Sequence, residues 1–163
     1  MPATADDHAL AIDLARETGK VLVELRQRML LEGTTHWELK DAGDMAAHRF
    51  IVKHLAEVRP NDSVLSEEGA DRRERLTADR VWIVDPLDGT REYAEPPRSD
   101  WAVHIALVMN GDPVAGAVSL PAEGIVLGTQ PAPELGPLPD RAPRVIVSRS
   151  RRPPAAIMLA REL

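Results

Sequence analysis

Val81-Trp82-Ile83-Val84-Asp85-Pro86-Leu87-Asp88-Gly89-Thr90 is the stretch on which the reading of this chain turns. Its apolar start, rich in β-branched residues, predicts a buried strand that ends at Asp85. Asp88 follows three residues later, in a turn expected from Pro86 and Gly89. Two carboxylates that close feel each other's field, and a divalent cation is the usual way to satisfy both. Gly89-Thr90 is then expected to open a helix, whose free N–H groups and dipole favour a phosphate. An isolated Asp-x-x-Asp is most often a helix cap and a turn. The full ten-residue context points instead to metal-assisted chemistry on a phosphoryl group.

Working outward from this strand, residues 6–30 read as one amphipathic helix, with Leu10, Leu14, Val21, Leu25 and Met29 at the helical period. Residues 31–43 are polar and turn-rich and are expected to form a loop or loose hairpin. A second helix is expected to open near Asp44, burying Ala47, Ile51, Leu55 and Val58 and stopping at Pro60. Residues 63–66 suit a short strand, and the charged stretch 67–80 a loop with a turn of surface helix. Downstream, 101–109 and 114–120 are apolar runs joined through Asn110-Gly111, a strong hairpin signal, and 124–129 suits a third strand.

Residues 130–143 hold five prolines and read as a linker. Residues 144–148 then suit a strand and 153–163 a helix. The fold expected is an α/β layered sandwich: two N-terminal helices on a mainly antiparallel sheet in residues 1–130, a linker at 131–143, and the beginning of a second αβ unit at 144–163.

Composition narrows the function classes. Of 163 residues, 44% are hydrophobic, which supplies a core, and the net charge of −6 argues against binding a nucleic-acid polymer. The absence of cysteine excludes disulfides, thiolate metal sites and cysteine nucleophiles. No apolar stretch reaches the roughly 18–20 residues that span a membrane, and the N-terminus carries no secretory signal. A cytoplasmic location is the default expectation. No G-x-x-x-x-G-K-[ST] holds a nucleotide's phosphates, Leu87 breaks the spacing of an EF-hand, and no G-x-S-x-G marks a serine hydrolase.

Asp85-Pro86-Leu87-Asp88-Gly89-Thr90 resembles the signature of the lithium-sensitive inositol monophosphatase superfamily. Leu65-Ser66-Glu67-Glu68 looks like the acidic motif of that family, and Asp44 like its water-activating aspartate. The wording is most similar to the CysQ branch, the 3′(2′),5′-bisphosphate nucleotidases that convert 3′-phosphoadenosine 5′-phosphate to AMP. The resemblance implies a small phosphorylated substrate and Mg²⁺, and leaves a homodimer open. It implies that Glu67, Asp85 and the Leu87 carbonyl hold a first Mg²⁺, and that Asp85 and Asp88 hold a second. Asp44 and Thr90, with Glu67 nearby, would orient and deprotonate water. Asp88, Gly89 and Thr90 would meet the substrate phosphate. The alternatives are an inositol or sugar monophosphate as substrate, or an inactive metal-binding or interaction fragment.

The Trp-Asp motif of the family's second half has no counterpart here, since no Trp follows Trp101 and no matching Asp follows Asp140. The resemblance therefore implies the N-terminal portion of such an enzyme. Among other residues, Glu68 is expected at the surface and Lys40 and Asp41 in a solvated turn. His8, His48 and His54 are expected on helix faces without ligand pairing, and His104 as a structural histidine. Trp37, Trp82 and Trp101 are expected to pack.

Overall fold

Residues 2–69, 73–137, 147 and 153–162 are described by the computed structural model. They divide into two compact units, Met1–Pro133 and Glu134–Leu163. In the first, helices α1 (Ala5–Leu31) and α2 (His36–Val58) precede strands β1 (Ser63–Ser66) and β2 (Arg80–Asp88). A short helix α3 (Thr90–Ala94) and strands β3 (Ala102–Met109), β4 (Asp112–Leu120) and β5 (Ile125–Gly128) follow. The sheet runs in the order β1-β2-β3-β4-β5; β1 pairs parallel with β2 and every other pair is antiparallel. The mainly antiparallel sheet under two helices is the architecture expected from the sequence.

Both long helices begin with reciprocal capping boxes. At α1 the Thr4 hydroxyl accepts from the Asp7 N–H at 3.2 Å, while the Thr4 N–H donates to Asp7 Oδ2 at 2.9 Å. At α2, Thr35 and Glu38 make the same exchange. This cap corrects one expectation: α2 starts at His36, not near Asp44, so most of the expected loop 31–43 is helix. Gly43 favoured the loop reading, yet it lies buried in the helix. Val58, expected in the core, is exposed, and Trp37 is 72% exposed rather than packed.

The buried stripe of α1 is Ala11, Leu14, Ala15, Thr18, Gly19 and Leu22. It is rotated from the expected stripe toward smaller side chains, which lets the helix lie close on the sheet. A Cβ on Gly19 would stand 2.8 Å from Pro121 Cγ, closer than packed carbons allow. The core continues through Leu39, Ala47, Ile51 and Leu55 of α2 into Trp82, Val84, Val103, Ile105 and Leu107. The hairpin turn has Asn110 at φ 51° and Gly111 at φ 90°, the positive values that a two-residue turn demands. The sheet face away from the helices exposes Ile83, Ile125 and Leu127.

Strand β2 differs from expectation in length. It does not end at Asp85 but continues to Asp88, with a bulge between the two: Asp85 pairs with His104 and Asp88 with Ala102. Three steps along β2 match two along β3. Pro86 is tolerated because a bulge leaves one N–H unpaired in any case.

At the other end of β2, Arg80 clamps the helices to the sheet. Its Nη2 donates to Asp7 Oδ1 at 2.7 Å and its Nε to Asp62 Oδ1 at 2.9 Å, and the Trp82 indole N–H donates to Asp62 at 2.8 Å. Burial works to raise the Asp7 carboxyl, and hydrogen bonds from Arg80 and Thr4 overcome it, holding the group well below the usual carboxylate range.

In the second unit, α4 (Pro154–Glu162) exposes Ile157, Met158 and Leu159. The strand expected at 144–148 lies outside the described residues apart from Val147.

Arg80→Met keeps the stem but removes the cation shared by buried Asp7 and Asp62, leaving Asp7 only the longer contact with Arg59 at 3.4 Å, so it is expected to cost about 3 kcal/mol at pH 7, read from guanidinium unfolding. Because the folded Asp7 value is depressed, its contribution is complete above its ordinary value and lost as pH falls through the lowered one. The difference between wild type and Arg80→Met is therefore expected to shrink in strong acid.

Candidate metal and phosphate site

The parallel register of β1 and β2 decides where the acidic residues meet. Ser66 pairs with Val84, so Glu67, the residue after β1, and Asp85, the next along β2, come to the same end of the sheet. In a regular strand Asp85 and Asp88, three apart, would point to opposite faces. The bulge removes that opposition: Pro86 and Leu87 are both buried, while Asp85 is half-buried and Asp88 exposed on the open side. The bulge thus turns two carboxylates of one strand toward a common space.

The loop is braced from within. The Leu87 N–H donates to Asp85 Oδ1 at 3.2 Å, and the Thr90 hydroxyl donates to the Leu87 carbonyl at 3.0 Å. Gly89 adopts φ 78°, and a Cβ there would stand 3.0 Å from the Asp100 carbonyl and 3.2 Å from Trp101 Cα. The turn into α3 thus needs glycine for both conformation and space. The helix it opens has only five residues.

Asp44 reaches this site from the third turn of α2. The approach depends on Gly43, where a Cβ would meet Tyr93 Cε1 at 2.6 Å and Leu87 Cδ2 at 2.9 Å. Tyr93 cannot retreat, because its hydroxyl donates to the Leu22 carbonyl at 2.9 Å and its ring meets Trp101 edge-on. Burial and the charge of Glu68 push the Asp44 carboxyl up to about 6, against the opposing pull of the Thr90 hydroxyl and Lys40. Asp85 is likewise raised by burial and by the charges of Glu67 and Asp88.

Of the residues singled out in the sequence, Asp85, Asp88, Glu67 and the Leu87–Thr90 turn gather at one end of the sheet, with Asp44 against Thr90. Glu68 is exposed as expected, but its charge also acts on Asp44. His104 was read as structural; it stands on β3 opposite Asp85, with Nε2 3.4 Å from Asp88 Oδ2. The strand's alternation was the signal for it, since His104 shares a face with Ala106 and Val108 rather than with buried Val103 and Ile105. Lys40 and Asp41 belong to α2 rather than to a turn.

For a divalent cation the donor chemistry fits: the carboxylates of Glu67, Asp85 and Asp88 and the Leu87 carbonyl are hard oxygen donors, and half-buried Asp85 feels the charges of both other carboxylates. Among the described residues, no three acidic or histidine side chains already stand together as a coordination sphere. The fit rests on donor type and backbone register.

A two-helix, five-strand scaffold with acidic residues gathered around a strand-end Asp-Pro-Leu-Asp-Gly-Thr turn defines a family. Residues 5–131 match the inositol monophosphatase family model, and the chain belongs to that family. Its enzymes are phosphatases that use divalent metal ions. The chain is 44% identical over 154 residues to the 3′-phosphoadenosine 5′-phosphate phosphatase of Mycobacterium bovis, covering 90% of this chain and 57% of that protein. It is 43% identical over 81 residues to the 3′(2′),5′-bisphosphate nucleotidase CysQ of Salmonella typhimurium, covering 49% of this chain and 32% of that one. The crystal structure of inositol monophosphatase II from Staphylococcus aureus matches with a TM-score of 0.68 at 27% identity, over 77% of this chain and 46% of that one. The chain thus spans about half the length of the relatives it matches.

Asp44, being raised, contributes stability that is complete below its ordinary value and lost as pH rises through about 6. Asp44→Asn is therefore expected to be more stable than wild type at pH 8, by about 1 kcal/mol after allowance for solvent screening, and no more stable at pH 4; thermal melting at the two pH values reads the difference. Gly43→Ala is expected to lose about 1–3 kcal/mol through overpacking, measured by urea unfolding.

Proposed function

We propose that this chain carries the metal- and phosphate-binding half of a Mg²⁺-dependent phosphomonoesterase of the cytoplasm, acting on the 3′-phosphate of 3′-phosphoadenosine 5′-phosphate. The observation that carries the reading is the β2 bulge, which turns Asp85 and Asp88 to one side beside Glu67 and within reach of the Asp44–Thr90 pair. The names of the M. bovis and S. typhimurium relatives support the choice of substrate.

In this reading Glu67, Asp85 and the Leu87 carbonyl hold one Mg²⁺, and Asp85 and Asp88 hold a second. Bound there, Mg²⁺ supplies charge neutralisation for the phosphate and the leaving oxygen. The chain's own residues do the rest. Asp44, raised toward neutrality by its surroundings, accepts a proton from the attacking water, as a base near the working pH does best. The Thr90 hydroxyl, lying between Asp44 and the Leu87 carbonyl, fixes the direction of that water. The backbone N–H groups of Gly89 and Thr90 would meet the phosphate, in a turn that needs glycine because of its positive φ and its packing on Asp100 and Trp101. No side chain needs to form a covalent phosphoenzyme.

The test is inorganic phosphate release from 3′-phosphoadenosine 5′-phosphate by the purified chain, with Mg²⁺, with chelator, and with Asp88→Asn. Metal-dependent release that falls at least about a hundredfold in the variant is expected. An inositol monophosphate hydrolysed faster than the nucleotide overturns the substrate assignment. A folded chain that releases no phosphate from either assigns the activity to a longer parent and makes this chain its inactive half.

A further inference from the structure

We propose that His48 is a positioning residue for the acidic turn Glu67-Glu68, acting through the Ser66 hydroxyl, and that it sets how tightly this chain takes up a divalent cation. The inference rests on the reading of Glu67 as a metal ligand.

His48 stands one helical turn after Asp44 on α2, so the two project from the same side of the helix. Asp44 is directed at Thr90, whereas His48 is directed at the end of β1. Its Nδ1 lies 2.8 Å from Ser66 Oγ. Ser66 is buried, ends β1 and immediately precedes Glu67.

The far end of the turn meets the same ring. The Gly69 N–H donates to the Ser66 carbonyl at 3.1 Å, closing Glu67 and Glu68 into a tight loop. A Cβ on Gly69 would stand only 3.2 Å from His48 Cε1, so the imidazole is seated against both ends of that loop.

Glu67 is exposed and follows a four-residue strand at the sheet's edge, in a turn rather than in the sheet. A hydrogen bond to the residue before it and a contact with the residue two after it restrict where its carboxylate can lie. Holding a carboxylate in place before the cation arrives is how groups behind the ligands raise metal affinity, and losing one such group costs about 10–100-fold. A single stripe of α2 therefore aligns the water-orienting Asp44 and the Glu67 turn with each other.

The experiment is Mn²⁺ titration of the full chain, followed by the EPR signal of the free ion, a readout independent of catalysis. Wild type is compared with His48→Ala, His48→Asn, Ser66→Ala, the His48→Ala/Ser66→Ala pair and Glu67→Gln, each at a temperature well below its own melting midpoint. His48→Ala and Ser66→Ala are each expected to weaken binding about tenfold. The double variant is expected to be no weaker than either, because the two act as one unit. His48→Asn, whose amide can meet the Ser66 hydroxyl, is expected to recover most of the affinity, which side-chain volume alone would not explain.

Wild-type affinity in His48→Ala, or losses that multiply in the double variant, overturn the proposal while leaving Glu67 as a ligand. Wild-type affinity in Glu67→Gln, or a wild-type chain that binds no Mn²⁺, overturns the metal reading beneath it.

Discussion

Strand β2 runs parallel to β1 on one side and antiparallel to β3 on the other, and this double commitment determines where Glu67, Asp85 and Asp88 can lie. The parallel partner brings the exit of β1, and with it Glu67, to the same edge as Asp85. The antiparallel partner supplies His104 opposite Asp85 and takes up the extra residue of the bulge. At its other end the strand is fixed by Arg80, whose guanidinium spans Asp7 of α1 and Asp62 before β1. Slippage of β2 is thus opposed by a charged clamp at one end and by Trp82, fully buried, just inside it.

Close approach of helix to sheet is the second constraint, and small residues permit it. Gly19 and the alanines of α1 let that helix settle on β4 and the Pro121 turn. Gly43 lets α2 settle on Leu87 and Tyr93. Arg26, 5.6 Å from the Tyr93 ring and 5.7 Å from the Trp101 ring, caps the aromatic pair from α1. Stability and site geometry are coupled here, because Trp101 is also the surface on which Gly89 turns. A change made to relieve crowding at Gly43 acts on Asp44 as well.

Much of this was legible in the residues. The apolar start of β2 and Asn110-Gly111 each carry a local signal with a single structural solution, and those elements formed where expected. The Thr35-to-Glu38 capping box was equally local, yet a polar, glycine-containing stretch reads as a loop when propensity is weighed alone; tertiary packing at Gly43 reversed it. The bulge was hidden because Pro86 and Gly89 are also turn residues, and only the continued pairing of β3 distinguishes the two. What His48 and His104 pair with was unreadable for a different reason. Each faces a residue far away in the chain, and neither partner can be named before the register of β1, β2 and β3 is known.

The bulge also makes the site a matter of parity. Along a pleated strand, odd and even positions belong to opposite worlds, one apolar and one wet. One extra residue between Asp85 and Asp88 changes the count and moves Asp88 from the first world to the second. Regular pairing through that segment, at the same three-residue spacing, would leave every amino acid of the acidic set in the chain and still dissolve the set, because Asp88 would fall on the side on which Leu87 is packed. The site's composition can therefore survive a change that its arithmetic cannot, and an inventory of its residues would not register the loss.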